Sequence, residues 1–256
     1  MATKKHDIVV FLGPSLEVEA ARDILDACYL PPAEQGAIVR AVQGLEPRVI
    51  ALIDGSFANV PAVRHKEILW AMSKGVQVIG AASIGAIRAA ELNGFGMGGS
   101  GFIYRWYRAT VGADDDEVAV AMSPVEMGAR PLSEALINIR LTLRRATRMG
   151  AINKTMYASL VELARSLDFR SRTYDRIFEV AERALPVELR RSLPALSDWI
   201  AGHAINQKAT DTRELLLALS RMDPDLPPPS ARSRFQLTDA WLADLESAGL
   251  QIDIDC

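Results

Sequence analysis

The sequence predicts an α/β fold, in which a small parallel sheet with flanking helices is followed by a C-terminal helical subdomain. In the first half, short apolar runs rich in β-branched residues alternate with segments of helical spacing. From residue 133 onward the strand-like runs stop and helical patterns dominate. Apolar strands separated by helices are typical of a parallel sheet covered on both faces. We therefore expect an α/β domain at residues 1–125 and a helical subdomain at residues 126–256.

Three strands and three helices are predicted in order along the first half. The strands cover residues 7–12, 48–53 and 76–80, and the helices cover residues 16–28, 60–73 and 84–92. Pro61 suits the first turn of the second helix, and Gly75 follows its end. Three strands make a small sheet, so further short strands are also considered between residues 99 and 122.

Helical spacing continues through the second half. The predicted helices cover residues 133–149, 153–167, 173–184, 187–203, 212–222 and 238–249. Residues 223–230 form a proline-rich break before the last helix. The junction with the α/β domain is expected between residues 124 and 132.

The composition excludes several classes of protein. The chain has 256 residues, of which 24% are charged and 49% hydrophobic, with a formal net charge of −3. These fractions exclude a chain that is disordered throughout. The net charge near zero does not indicate binding to nucleic acid. No apolar run approaches the roughly 20 residues of a membrane span, and residues 1–7 lack a signal-peptide core, so a cytoplasmic protein is expected. Two cysteines and three histidines without ligand spacing predict no disulfide framework, metal or cofactor.

Ser83 is the first candidate for chemistry, because it lies in a turn of small residues between a strand and a helix. The arrangement nearly matches the G-x-S-x-G nucleophile turn, with Ala81 in place of the first glycine. Small neighbours let the backbone turn sharply, and the following helix offers free N–H groups for an anion. Taken alone, the local pattern favours a simpler role, in which Ser83 caps the helix and Gly85 serves packing.

A nucleophilic serine needs a base, and the candidates are Lys66 and His65 at the start of the second helix. Apolar neighbours and the helix dipole both disfavour a charged lysine there, so Lys66 suits a Ser-Lys pair. From the residues alone, a solvated lysine paired with a neighbour such as Glu67 is the more frequent arrangement. His65 is likewise more often a surface or structural residue than a catalyst.

The carboxyl ends of parallel strands meet at one edge of a sheet, where ligands collect. The loops at residues 13–15, 54–57 and 81–85 are therefore expected to lie together. The residues expected to bind substrate or support the site are Gly13, Pro14, Ser15, Asp54, Gly55, His65, Gly85, Ala86, Arg88 and Glu91. Some have ordinary alternatives, since Asp54 and Gly55 suit a turn and Glu91 can pair with Arg88. The acidic run at residues 114–117 suits a cation or protein contact, or more often a solvated loop.

Seven ordered segments resemble one known family, the TfuA-like proteins, over about residues 8–120. They are FLGPS (11–15), PPA (31–33), IDGSF (53–57), PAVRHKEIL (61–69), GAASIGAIRAAEL (80–92), FGM (95–97) and DDEVA (115–119). The helical half is similar to the more variable tail of that family. Two departures flank the site: Ala82 and Ile84 replace frequent serine and methionine, and Arg64 replaces a frequent aromatic residue.

The resemblance implies a role in backbone thioamidation of peptides or proteins. TfuA-like proteins accompany YcaO-type enzymes and are understood to release sulfide from the C-terminal thiocarboxylate of a ThiS-like sulfur carrier. They are also understood to bind the YcaO-type partner and improve its engagement with the peptide substrate. The family's Ser-Lys pair corresponds to Ser83 and Lys66, so the resemblance implies catalytic roles for both residues.

The expected reaction begins with attack by Ser83 on the thioacyl carbon, and Lys66 acts as base and later proton donor. Direct attack by water, with Ser83 only positioning the sulfur, is a second route. A non-catalytic adaptor that docks the YcaO-type enzyme and the carrier is the main alternative function. An ordinary esterase or amidase is the third, and the sequence places no histidine and acid partner beside Ser83 to support it.

Overall fold

The sheet has five strands, all parallel, in the order β2-β1-β3-β4-β5 within the described residues. The computed structural model describes residues 7–56, 60–223 and 235–252. The strands are β1 (Ile8–Phe11), β2 (Cys28–Leu30), β3 (Val49–Leu52), β4 (Gln77–Gly80) and β5 (Gly98–Gly99). Helices flank this sheet and continue beyond it, so the predicted α/β class with a helical C-terminal region is confirmed.

The register of the sheet aligns the carboxyl ends of three strands. Phe11 of β1 pairs with Leu52 of β3, and Leu52 pairs with Gly80 of β4. Each of the four residues of β3 is buried, as expected for the middle strand of the sheet. The loops that follow β1, β3 and β4 therefore begin at the same level of one edge.

The described helices extend across both halves of the chain. They are α1 (Val18–Arg22), α2 (Ala37–Leu45), α3 (His65–Ser73), α4 (Ile84–Leu92), α5 (Gly101–Ala109), α6 (Leu136–Arg148), α7 (Lys154–Ser166), α8 (Tyr174–Ala184), α9 (Val187–Arg190), α10 (Leu193–His203), α11 (Gln207–Ser220) and α12 (Asp239–Ser247). The bounds of α4 equal the predicted ones. The helix predicted over 187–203 is interrupted and becomes α9 and α10, with a proline in the first turn of α10. No helix in the described ranges has the length and apolar character needed to cross a membrane.

Two predicted helices begin or end differently in the structure. The first ends at Arg22 instead of residue 28, and Cys28 lies in β2, so its assignment to a helix is wrong. The three residues of β2 lie at the edge of the sheet and are only half-buried. The sequence there therefore lacks the buried apolar run by which a strand is recognised. The second begins at His65 because Arg64 is extended, with ψ 147°, so Pro61 is not in its first turn.

Besides β2, three elements were absent from the prediction, namely α2, α5 and β5. The helix α2 runs from Ala37 to Leu45 between Gly36, at φ +82°, and Glu46, at φ +46°, so no Ser, Thr, Asp or Asn at the N-cap signals its start. The strand β5 consists of Gly98 and Gly99, so it overlaps only the first residue of the range considered for extra strands, 99–122. A Cβ on Gly99 would lie 2.2 Å from the ring of Tyr104, so close packing explains a residue type that strands usually disfavour.

The chain divides into two compact units. The first unit comprises residues 1–111 and 210–256, and the second comprises residues 112–209. The sequence placed the boundary at 125/126, whereas the first unit ends at residue 111. The sequence also placed residues 210–256 in the helical subdomain, whereas they belong to the first unit. In the first unit, Asp211 of α11 accepts hydrogen bonds from Phe102 N at 2.9 Å and Ile103 N at 2.7 Å, at the start of α5.

The second unit has its own apolar core on α6, α7, α8 and α10, which includes Leu136, Leu143 and Leu160. Its acidic run pairs with arginines of the same unit. These pairs are Glu117 with Arg140 at 2.8 Å, Asp116 with Arg172 at 2.6 Å and Asp114 with Arg165 at 3.4 Å. Glu117 and Arg172 are buried. Asp116 and Glu117 therefore tie the run to its own unit, whereas Asp114 and Asp115 are exposed, as expected for a solvated loop.

Candidate active site at the carboxyl edge of the sheet

Asp54 holds the loop after β1 against the end of β3. Its carboxylate accepts hydrogen bonds from Gly13 N at 2.9 Å, Ser15 N at 3.0 Å and Ser15 Oγ at 2.7 Å. Asp54 and Ser15 are both buried. The expectation that these two strand-end loops lie together is confirmed. The Asp54 carboxylate therefore holds the two loops together at the edge of the sheet.

The turn between β4 and α4 is strained. Ala82 has φ +63°, a conformation that residues with a Cβ seldom adopt. Ser83 N donates to Ala81 O at 2.7 Å, and this bond closes a γ-turn around Ala82. Such strain persists only where the surrounding structure enforces it, and it clusters at functional sites. Ser83 then serves as the N-cap residue, and α4 begins with Ile84.

Glycines let this turn pack directly on the neighbouring backbone. A Cβ on Gly85 would lie 1.7 Å from Leu52 O, and a Cβ on Gly80 would lie 1.9 Å from Gly85 O. Gly85 N donates to Ile53 O at 3.2 Å, so the first turn of α4 is tied to the end of β3. A Cβ on Gly55 would likewise lie 2.7 Å from Cγ2 of Ile84. The predicted packing role of the small residues is confirmed.

The Ser83 hydroxyl does not cap α4. The side chain makes no capping hydrogen bond, although the Ser83 carbonyl accepts from Ala86 N at 2.9 Å. The capping role favoured by the local sequence is therefore wrong for the hydroxyl. Ser83 as a residue is 1% exposed, and Ile84 N has no backbone acceptor within the described residues. The Ser83 hydroxyl, which makes no capping bond, therefore lies next to an N–H at the positive end of a helix dipole.

A second cluster joins the start of α3 to the third turn of α4. Glu91 Oε2 lies 2.7 Å from His65 Nε2 and 2.7 Å from Arg88 Nη1, which confirms the expected pairing of Glu91 with Arg88. Arg88 Nε also donates to Val63 O at 3.1 Å. Burial alone would raise the pKa of Glu91, but the hydrogen bonds from His65 and Arg88 outweigh it and lower the pKa. Glu91 is eight residues beyond Ser83, a rise of about 12 Å along the helix.

Lys66 contacts the C-terminal part of the first unit. Its Nζ donates to Gln236 O at 2.8 Å and lies 5.4 Å from the ring centroid of Phe235. In the described ranges no hydrogen bond joins Lys66 to Ser83. His65, one residue earlier, makes its contacts with α4 instead. The serine turn, the His65 cluster and the Lys66 contact are therefore three separate groups, with no hydrogen bond between them in the described residues.

Glu67, expected only as a neighbour that could pair with Lys66, is buried and instead accepts hydrogen bonds from backbone N–H groups. It accepts hydrogen bonds from Arg64 N at 2.7 Å, Gly36 N at 3.2 Å and Ile38 N at 3.2 Å, at the starts of α3 and α2. Burial raises the pKa of its carboxyl to about 7, although the three backbone hydrogen bonds act in the opposite direction. A glutamate at the third helical position is half of a capping box, but Arg64 at the N-cap hides that signal.

No group of three or more His, Cys, Asp or Glu side chains that could hold a metal ion occurs within the described residues.

A family model described as TfuA-like protein matches residues 54–173. The match begins at Asp54 and includes Lys66, Ser83 and the His65 cluster, and it confirms the resemblance seen in the sequence. The segments before residue 54 lie outside the match, whereas the matched range continues past residue 120 through α6 and α7. A comparison with curated proteins finds no match.

Proposed function

We propose that this chain, whose residues 54–173 match the TfuA-like family model, is an accessory hydrolase for peptide backbone thioamidation. It releases sulfide from the thiocarboxylated C-terminus of a ThiS-like sulfur-carrier protein and supports a YcaO-type partner, in the cytoplasm. The single observation that carries this proposal is the strained turn at Ala82, which presents a hydroxyl without a capping bond beside an N–H at the positive end of a helix dipole.

The proposed reaction has two steps. In the first, Ser83 Oγ attacks the carbonyl carbon of the thiocarboxylate, the C–S bond breaks, and the carrier's acyl group forms an ester with Ser83. The hydroxyl proton passes through Lys66 to the departing sulfur, so hydrosulfide leaves. In the second step, water hydrolyses the ester, restoring the serine and releasing the carrier as a carboxylate.

The start of α4 supplies the electrostatic environment for this chemistry. A thiocarboxylate is an anion, and its carbonyl oxygen gains negative charge during attack. Ile84 N–H and the positive end of the helix dipole stabilise both charges. The N–H of the residue after the nucleophile has the same role in G-x-S-x-G hydrolases. The close packing of Gly85 against Leu52 keeps this donor fixed.

Lys66 acts as the base in this proposal, as the resemblance implies, and must leave Gln236 O to reach Ser83. The residues Gly13, Pro14, Ser15, Asp54, Gly55, Gly85 and Ala86 shape the edge around the serine, and His65, Arg88 and Glu91 support it from α3 and α4. If water attacks directly and Ser83 only positions the sulfur, no ester forms. Rapid acid quenching followed by mass spectrometry of Ser83 distinguishes the two routes.

The proposal is tested with purified thiocarboxylated carrier and no YcaO-type enzyme. Sulfide release is measured colorimetrically, and Ser83→Ala and Lys66→Ala are both expected to abolish it. Matched controls are Ser73→Ala and Lys74→Ala at the exposed end of α3, which should retain the wild-type rate. Folded Ser83→Ala and Lys66→Ala proteins that release sulfide at the wild-type rate would defeat the assignment.

One observation favours a second function, a non-catalytic adaptor that docks a YcaO-type enzyme and its sulfur donor. Lys66 is engaged by Gln236, and no hydrogen bond to Ser83 occurs in the described part of the chain. An adaptor predicts no sulfide release without the partner. It also predicts that Ser83→Ala stimulates thioamidation by the YcaO-type enzyme as well as the wild type does.

A further inference from the structure

The C-terminal segment, defined here as residues 235–251, makes the contacts that hold Lys66. Gln236 accepts the hydrogen bond from Lys66 Nζ through its backbone carbonyl, and the Phe235 ring lies under the same amine. A carbonyl oxygen and the face of an aromatic ring both attract an ammonium group. Lys66 is therefore held by two features of one short stretch of chain.

This segment is anchored by apolar packing next to the Lys66 contact. Trp241 of α12 is 2% exposed and packs against Trp70 of α3, with ring centroids 6.3 Å apart. Phe235 packs edge-on against Trp241 at 5.0 Å. The Phe235 ring, which lies under Lys66, is thus positioned by the buried Trp241 of α12.

Polar contacts with α2 and α3 extend the attachment along the segment. Gln35 Nε2 donates to Asp244 O at 2.9 Å, and Arg64 lies 3.6 Å from the Asp244 carboxylate. Gln43 Nε2 donates to Gln251 O at 2.7 Å, near the end of the described chain. These contacts do not involve Lys66, so the segment can stay attached when the Lys66 contact is removed.

We propose that the C-terminal segment is an autoinhibitory latch, which keeps Lys66 away from Ser83 until the segment is displaced. This inference rests on the proposed function, because only a lysine that serves Ser83 is inhibited by being held elsewhere. A lysine amine can take the serine proton only when its Nζ approaches Oγ within hydrogen-bond reach. An amine bonded to Gln236 O is not available for that contact. Loss of the Phe235 ring should therefore free Lys66 and activate Ser83.

The experiment measures the two residues separately in the full-length protein. The accessibility of Lys66 is measured as its acetylation rate by peptide mass spectrometry, and the reactivity of Ser83 as its labelling rate by a fluorophosphonate. Phe235→Ala should raise both rates about 2- to 5-fold, the effect of losing an exposed cation–π contact. Leu237→Ala is the matched control, since that exposed side chain lies in the same segment, and it should change neither rate.

Two further variants distinguish the latch from simpler effects. Trp241→Ala removes the anchor and should raise both rates at least as much as Phe235→Ala. Combining Phe235→Ala with Lys66→Met should abolish the gain in Ser83 labelling, because the gain requires the lysine. A gain that persists without Lys66 would mean that the segment only covers the serine, and it would overturn the proposal.

The proposal is also overturned if Phe235→Ala leaves Lys66 acetylation unchanged, or if acetylation rises while Ser83 labelling does not. Neither label requires a sulfur carrier. The proposed function is decided separately by sulfide release. If both labels respond and no variant releases sulfide, the latch stands and the assigned substrate is wrong.

Discussion

Replacing Glu67 with glutamine should remove a large pH dependence of stability from the first unit. Glu67 is buried at the starts of α2 and α3, and its pKa is raised from 4.5 to about 7. The folded protein therefore binds the proton of this carboxyl more tightly than the unfolded chain does. Below about pH 4.5 the group is protonated in both states and carries no penalty.

Between pH 4.5 and 7 the unfolded chain ionises Glu67 while the folded protein retains the proton. The free energy of unfolding then falls as the pH rises, and the loss is complete above pH 7. A difference of 2.5 pKa units corresponds to about 3 kcal/mol at about 1.4 kcal/mol per unit. Other groups of the protein add their own pH dependence, which cancels when the wild type is compared with Glu67→Gln.

The assay is urea unfolding followed by tryptophan fluorescence, at about pH 5 and about pH 8, where Glu67 differs most in protonation. Trp70 and Trp241 lie in the same region and report on it. Relative to the wild type, Glu67→Gln should gain about 2–3 kcal/mol between the two pH values, because the unfolded chain is already partly ionised at about pH 5. Glu19→Gln, at an exposed position, is the control and should follow the wild type. If Glu67→Gln and the wild type keep a constant difference, burial does not raise this pKa and the reasoning fails.

Three further variants test the packing that holds the site and the second unit. Gly85→Ala should lower the free energy of unfolding by about 3 kcal/mol, because its Cβ would collide with Leu52 O; an unchanged Tm would contradict the close approach. Asp54→Ala leaves the buried Ser15 groups unpaired and should cost about 3 kcal/mol, with faster hydrogen exchange at Ser15 N as the measurement. Arg172→Met breaks a buried ion pair and should cost about 3–5 kcal/mol, measured by thermal unfolding, and a stable variant would mean that the acidic run does not need its arginines.

The strands that could be predicted from the sequence are those that contain a buried apolar run. The strands β1, β3 and β4 were found because each has a compact apolar run that ends at small or turn-forming residues. The strands β2 and β5 were missed because they lie at the two edges of the sheet, where short length and glycine replace the usual pattern. The sequence therefore predicted the parallel α/β class and the three central strands, but not the two edge strands that set the width of the sheet.

The features of the site that depend on residues adjacent in the sequence could be predicted. The small residues around Ser83 indicated a sharp turn and close packing, and both are present. The position of the strain was not predictable, because an alanine carries no signal for positive φ. The Lys66 contact was not predictable either, since Gln236 lies 170 residues further along the chain. The buried position of Glu67 likewise depends on α2, which the sequence analysis did not predict.

The two proposed catalytic residues differ in how the fold holds them, and that difference indicates where activity is controlled. Ser83 is fixed by backbone: a γ-turn precedes it, and the first turn of α4 is bonded to β3. The side-chain amine of Lys66, in contrast, is held by contacts with Phe235 and Gln236 within the described residues. A change in rate is therefore easier to produce through the lysine than through the serine, because it requires no rearrangement of the sheet edge.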